Sequence, residues 1–219
     1  MASMVINDFS IRIATVNGSG SQTANTILLR ALFYMGLPVS GKNLFPSNIQ
    51  VQPTWYTIRI NRKGYTARSE STQIVIAIHN DSFSDDIKMV SPGGVLLCSD
   101  KITTPSGRDD IITYKIPIQS LAQELSPSAD LRDYLANMVY VGVLAHILAI
   151  DITALHKALV SQFKGKEIHI YSGQKINAAM VVDFGTIFLT DALSQVAQEF
   201  ETRFEPQLRN WIGEISQFR

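Results

Sequence analysis

Cysteine is almost missing from this chain: Cys98 stands alone among 219 residues. One thiol closes no internal disulfide, and it does not ligate an iron–sulfur cluster, which needs several thiolates. No excess charge of either sign is present, with 19 basic and 19 acidic side chains. A neutral chain has no general attraction for nucleic acid or other polyanions. His79, His146, His156 and His169 show no H-E-x-x-H spacing, so no metal site is expected. Met1 to Asp8 has no apolar signal core, which makes a cytoplasmic location the default expectation. The longest apolar stretch, Tyr134 to Ile150, is uncharged, yet it falls short of the roughly 20 residues of a spanning helix. No basic cluster flanks it. It reads as a helix buried on nearly all sides, with no membrane partner. No Ser-His-Asp or paired-carboxylate constellation follows from spacing, and no catalytic residue is assigned.

What is present suits a folded domain. Hydrophobic residues make up 46% and charged residues 17%, enough for one large domain or one domain with a helical extension. Phe9 to Val16 alternates like a strand. Ala24, Ile27, Leu28, Ala31, Leu32 and Met35 then recur at the spacing of one buried helix face, and Gly36 and Pro38 end that helix. Between them lies Asn17-Gly18-Ser19-Gly20-Ser21-Gln22-Thr23. Two glycines at a strand-to-helix turn allow positive φ and close backbone approach. The first amides of the helix then point outward as donors for an anion. This predicts an anion or cofactor loop at a sheet edge; the alternative is a tight turn with no ligand. Thr23 stands where the dinucleotide fingerprint needs a third glycine, which argues against an ordinary NAD site.

Pro38 to Pro53 reads as a long irregular polar stretch carrying Asn43, Ser47, Asn48 and Gln50, and loops of that length tend to be functional. Gly36 to Asn43 nearly matches a P-loop, but Asn43 replaces the Ser or Thr and the segment follows a helix, so we read the match as chance. Thr54 to Ile60 predicts a one-sided strand, followed by a turn at Asn61 to Gly64. Arg59, Arg62, Lys63 and Arg68 form a basic run, either a solvated hairpin or a patch for a phosphate or partner. Ile74 to Ile78, Val95 to Cys98 and Ile111 to Ile116 read as buried strands, with a helix over Asp81 to Val90, a turn at Pro92-Gly93-Gly94 and a loop over Thr103 to Asp110. His79 and His146 read as structural, His146 in the core, and Cys98 as an inert core thiol. Ser120 to Leu125 predicts a helical turn or two. Asp130 is the expected cap of a helix through Asn137 and Gly142 to Ile150, and Asp151 the cap of another over Ile152 to Phe163. Asn137 interrupts the most apolar helix, and a buried amide needs partners: a ligand, a loop backbone or helix packing. Lys166 to Phe184 is ambiguous, strand-like at Glu167 to Tyr171 and helix-like at Ile176, Ala179, Met180 and Asp183. Thr190 to Phe218 is helical in composition, broken near Pro206.

Several of these stretches together resemble the γ domain of 2-oxoacid:ferredoxin oxidoreductases, above all the form fused to the N-terminus of the α subunit in 2-oxoglutarate and related enzymes. The family carries a Gly-x-Gly-Gly-Gln-Gly loop between its first strand and helix; here it is Gly18-Ser19-Gly20-Ser21-Gln22-Thr23. Gly41 to Gln50, Pro53-Thr54-Trp55-Tyr56, the Asn137-x-x-x-x-Gly142 helix and Asn177-Ala178 extend the likeness over most of residues 9 to 190.

The resemblance implies an α/β fold: a three-layer α/β/α domain with a mixed, mostly parallel sheet and a helical C-terminal part. It implies a tail at 1–8, a γ-like domain at 9–190 and a helical extension at 191–219. The implied role is to contribute to CoA binding and to cover the thiamine diphosphate site while a 2-oxoacid is oxidatively decarboxylated to acyl-CoA. Thiamine diphosphate and iron–sulfur clusters would be held by partner α/β domains or subunits, with ferredoxin met through the complex and a homodimer allowed. The chain alone would be catalytically incomplete. Gly18, Ser19, Gly20, Ser21, Gln22 and Thr23 would line the cofactor-facing loop, with Asn48, Gln50, Arg59 and Asn137 as further contacts. Ser21 and Thr23 replace glycines of the general loop, and Val51 stands where glycine is expected, in a place where a β-branched residue tolerates positive φ poorly. The alternative reading is a non-catalytic module of the same fold, binding a nucleotide-like ligand or serving assembly.

Overall fold

A computed structural model describes residues 7–45, 53–70, 72–103, 107–125, 129–164, 168–171, 179–182 and 185–188. Asn48, Gln50, Val51, the Asn177-Ala178 pair and the expected helix over Thr190 to Phe218 lie outside the described residues.

Strand β1 (Asp8–Val16) is the centre of the sheet. Its alternation sends Phe9, Ile11 and Ile13 to one face, where each is essentially sealed from water. Helix α1 (Ser21–Tyr34) covers that face with Ala24, Ile27, Leu28, Ala31 and Leu32, the stripe anticipated from their spacing. Truncating one such residue, as in Leu28→Ala, costs roughly 2–5 kcal/mol. Gly36, in the left-handed region at φ 84°, ends the helix by donating its amide to Phe33.

The chain then forms β2 (Val39–Leu44) and β3 (Pro53–Asn61), an antiparallel pair with β3 also antiparallel to β1. Strand β2 corrects the expected irregular stretch. It is an edge strand with only partial burial, so its side chains carry little apolar signal. Gly41 and Lys42 sit within it, where no phosphate loop could form. The Asn61 to Gly64 turn is as expected, with the Gly64 amide donating to the Asn61 carbonyl at 2.9 Å.

Strands β4 (Thr72–Ala77), β5 (Val90–Ser99) and β6 (Ile112–Ile116) follow in parallel, and the sheet order is β2-β3-β1-β4-β5-β6. Three adjacent pairs are parallel and two antiparallel, a mixed, mostly parallel sheet. The expected turn at Pro92-Gly93-Gly94 is instead part of β5, at a register shift against β4. The two glycines serve a bulge rather than a chain reversal.

Helix α2 (Asn80–Met89) covers the opposite face through Phe83 and Ile87, packed on Val75, Ala77, Leu96 and Cys98. Helices α3 (Ile118–Leu125), α4 (Ala129–Ile147) and α5 (Ile152–Gln162) join α1 on the first face, completing three layers. Asp151 caps α5 by accepting from the Thr153 amide at 2.8 Å, as its position predicts. Asp130 lies inside the first turn of α4 rather than before it. Helix α4 is buried all round from Leu135 to Ala145, yet His146 is exposed, which corrects its expected core position. It falls in the last turn, where the buried stretch is already ending.

Beyond α5, β7 (Ile168–Tyr171), β8 (Ala179–Val182) and β9 (Gly185–Phe188) form a separate antiparallel sheet. Where the ambiguous stretch is described it is strand, at Ile168–Tyr171 and Ala179–Val182, so Ala179 and Met180 are not helical; Ile176 and Asp183 lie outside the described residues. Among the described residues, no helix is long and apolar enough to cross a membrane.

Candidate functional site at the carboxyl end of the central strand

Strand β1 has an antiparallel neighbour on one side and a parallel one on the other. Its carboxyl end is therefore a point where the sheet changes sense, and open α/β sheets collect ligands at the carboxyl ends of their strands. The glycine loop lies there. Gly18 takes φ 91° and Gly20 φ 79°, the left-handed conformations the sequence predicts for them. The Ser19 amide closes the turn onto the Val16 carbonyl at 3.2 Å, and Gly20 is the N-cap of α1 with no side-chain cap. The turn leaves helix amides to be satisfied from outside.

Two contacts from distant elements hold this loop. The Asn137 amide nitrogen, on α4, donates to the Ser19 carbonyl at 2.7 Å. Tyr140, one turn further on, donates its hydroxyl to Asn25 Oδ1 at 2.9 Å, and both residues are buried. Burial pushes the Tyr140 phenol far above its ordinary range, so it acts only as a neutral donor. Among the described residues, loop backbone is a partner of Asn137, as the sequence allows.

The serine at the fourth position of the Gly18–Thr23 loop turns inward. Ser21 is 7% exposed, and its hydroxyl accepts from Thr15 Oγ1 at 2.9 Å. Gln22 stays exposed; its Oε1 accepts from Asn43 Nδ2 on β2 at 2.6 Å. A cavity of about 400 Å³ opens between loop and strands. Its floor is Thr15, Asn17, Gly18, Gly20, Ser21, Gln22 and Asn25, and its wall is Asn43, Phe45, Thr54, Trp55 and Tyr56. No Asp, Glu, His, Lys or Arg is among these lining residues. Tyr56 titrates only above its usual value, because it is buried. Such a lining binds through amides, hydroxyls and backbone N–H groups; it supplies neither a general base nor an activated nucleophile.

The structure thus brings Gly18, Ser19, Gly20, Ser21, Gln22, Thr23 and Asn137 together. Arg59 is not part of the group. It pairs in register with Ser10 at the far end of β1, forms an ion pair with Asp8, and donates to the Phe9 and Ile60 carbonyls. Thr15 and Asn25 are lining residues that sequence reading does not reach, and Asn43, Thr54 and Tyr56, which lie in stretches it singles out, are not assigned to the site there. Thr15 and Thr54 are direct cross-strand partners, which only the β1–β3 register reveals.

Trp55 carries a second set of contacts. Its indole N–H donates to Asp86 Oδ1 at 2.6 Å, and the Ser82 hydroxyl donates to Asp86 Oδ2 at 2.8 Å. Burial raises the Asp86 carboxyl to about 6, against the opposing pull of those two hydrogen bonds and of Arg12. Cys98 is buried, and burial lifts its thiol to about 11, so it is unreactive at neutral pH.

The glycine loop thus sits at the switch point of a mixed α/β sheet, over a neutral polar cavity. Residues 10–180 match the family model for pyruvate ferredoxin/flavodoxin oxidoreductase, and the chain belongs to that family. Three solved structures share its fold. The 2-oxoglutarate:ferredoxin oxidoreductase from Magnetococcus marinus, solved with 2-oxoglutarate, coenzyme A and succinyl-CoA bound, aligns with a TM-score of 0.63 at 20% identity; the match covers 72% of this chain and 27% of that one. The γ subunit of a keto/oxoacid ferredoxin oxidoreductase from Geobacter sulfurreducens aligns at 0.55 and 20% identity, covering 71% and 86%. A pyruvate oxidoreductase subunit from Thermotoga maritima aligns at 0.56 and 18% identity, covering 72% and 86%. The chain therefore spans about a quarter of the first enzyme's length and most of each separate subunit's. No curated protein matches it. Its fold is shared with the γ subunit among these structures.

Proposed function

We propose that the chain contributes the CoA-facing surface of a 2-oxoacid:ferredoxin oxidoreductase and helps to cover the thiamine diphosphate held by partner α/β domains or subunits. The observation that carries this is the cavity at the Gly18–Gln22 loop: rich in neutral donors and acceptors, seated at a helix start, and without titratable catalytic groups among its lining residues. A long, flexible, amide-bearing ligand with phosphates suits such a lining, and the chemistry is left to partners. The CoA derivatives bound in the Magnetococcus marinus enzyme support the same reading. The reaction, the iron–sulfur clusters and ferredoxin belong to the assembly in this proposal, and its location is the cytoplasm. Among the loop residues, Gly18 and Gly20 set the turn, Gln22 meets the ligand, and Asn137 fixes the loop from behind; Asn48 and Gln50 are proposed as polar contacts on the adjoining segment.

Isothermal titration of CoA into the complex assembled with the thiamine-binding subunits tests the proposal. Saturable binding that weakens about tenfold in Gln22→Ala, the loss expected for a hydrogen bond to a polar ligand, supports it. Equal affinity in the assembly lacking this chain contradicts it.

A further inference from the structure

The face of the sheet opposite α1 carries an arrangement that the loop cavity does not use. Ser10, Arg12 and Ala14 point to that face, because Phe9, Ile11 and Ile13 point to the other. In the register of β3, Arg12 stands opposite Thr57, and Ala14 opposite Trp55. Arg12 is only 7% exposed. Its guanidinium lies 5.2 Å from the centroid of the Trp55 ring, which stabilises the cation but satisfies none of its N–H groups. Among the described residues, its side chain makes no hydrogen bond or ion pair, and its Nε is a buried donor with no partner. Ser10, two residues away on the same face and so about 7 Å along the strand, is 1% exposed with a buried hydroxyl that is also without a partner.

Buried polar groups left in this state are costly, and a guanidinium is more costly than a neutral group. The carboxylate of Asp86, whose charge acts on Arg12, does not relieve this. Asp86 spends its two oxygens on Trp55 and Ser82 and reaches Arg12 only through space. Arg68 adds a second positive charge: burial lowers the Arg12 pKa, Asp86 opposes that shift, and Arg68 deepens it. The buried Arg12 guanidinium thus feels a second positive charge from the exposed Arg68, while its Nε donor has no partner among the described residues.

We propose that Arg12 and Ser10 form a phosphate-binding pocket on the α2 face of the sheet, walled by the Trp55 ring and neutralised in part by Arg68. A guanidinium fork matches two phosphate oxygens, and the serine hydroxyl supplies a further donor. A dianion suits the pair of arginines better than a monocarboxylate would. The shared chemistry is a phosphate group, whether free or borne by a larger ligand.

Trp55 is the reporter. The chain has two tryptophans, so Trp211→Phe leaves Trp55 as the single emitter. Inorganic phosphate is titrated into this variant at constant ionic strength set with chloride, and emission is read. A saturable change is expected, with affinity lowered about tenfold or more in Arg12→Gln, as loss of a charge-assisted hydrogen bond requires. AMP titrated in parallel separates the sources: tighter binding than inorganic phosphate assigns the pocket to a phosphorylated ligand, and equal or weaker binding assigns it to the free ion. Absence of a saturable change, or an unchanged titration in Arg12→Gln, overturns the proposal. Should Arg12→Gln lose its native circular dichroism, Ser10→Ala decides instead: affinity weakened about threefold supports the pocket, and unchanged affinity overturns it.

Discussion

The side-chain amide of Asn137 donates to the carbonyl of Ser19 across 118 residues of chain. This bond fastens the turn at the end of β1 to the buried middle of α4. Asn137 is 4% exposed, so water does not compete for the contact. Asn137→Ala is expected to destabilise the protein by about 1–2 kcal/mol, because it removes this hydrogen bond from a half-buried acceptor. Hydrogen exchange at Ser19 to Ser21 is expected to accelerate more than exchange within β4. Equal acceleration in both regions would mean that Asn137 supports the fold at large and not the loop.

Gly18 tests the turn from the other side. At φ 91° its added Cβ would meet nothing within 4 Å, so the whole cost of Gly18→Ala is conformational. Roughly 1–2 kcal/mol is expected by urea denaturation, and Gly18→Asn should cost less, since asparagine tolerates the left-handed region better. Gly41 contrasts with it. There an added Cβ would collide with the Tyr56 phenol and come within 2.9 Å of Leu29. Gly41→Ala should thus displace the cavity wall, seen as weakened ligand binding with the turn itself intact.

The fold was legible where burial is one-sided and local. Phe9 to Val16, the α1 stripe and the Asp151 cap follow from spacing and cap chemistry alone. Strand β2 escaped, because an edge strand needs no apolar pattern to pair with β3. The site divides in the same way. Gly18 and Gly20 announce themselves by residue type. Thr15, Thr54 and Asn43 do not, because their meeting depends on strand register, and ordinary polar residues reveal nothing of it. Asn137 stood out as polar within an apolar helix, yet only the tertiary structure identifies Ser19 as its partner. Arg59 drew notice through a local charge run that the register carries to the wrong end of the strand.

Asp86 links pH to stability. Its carboxyl, near 3.8 when exposed, is held at about 6 in the folded chain. The folded state therefore binds more protons than the unfolded state between these values, and stability falls as pH rises through them. The stabilisation is complete below about pH 4 and lost above about pH 6, on the order of 2–3 kcal/mol in all. Arg12 opposes the shift and Asp85 adds to it. Asp86→Asn keeps an acceptor for the Trp55 indole and removes the titration. Urea midpoints measured from pH 4 to 7 should show the variant gaining on the parent as pH rises. A constant difference between the two would contradict the assigned shift.

The rivet at Tyr140 is the simplest to remove. Tyr140→Phe deletes the hydroxyl that Asn25 Oδ1 accepts from, within a site closed to water. A loss of about 1–2 kcal/mol is expected in thermal or urea unfolding. A neutral effect would show that Asn25 finds another donor.

The central claim is that this chain is a working part of a CoA-dependent 2-oxoacid oxidoreductase. The most direct measurement assembles it with its thiamine-binding partner subunits and follows reduction of ferredoxin by a panel of 2-oxoacids, with and without CoA and with and without this chain. CoA-dependent reduction that requires the chain, and that falls in Gln22→Ala, is the predicted result. The same CoA-dependent rate in its absence would contradict the account.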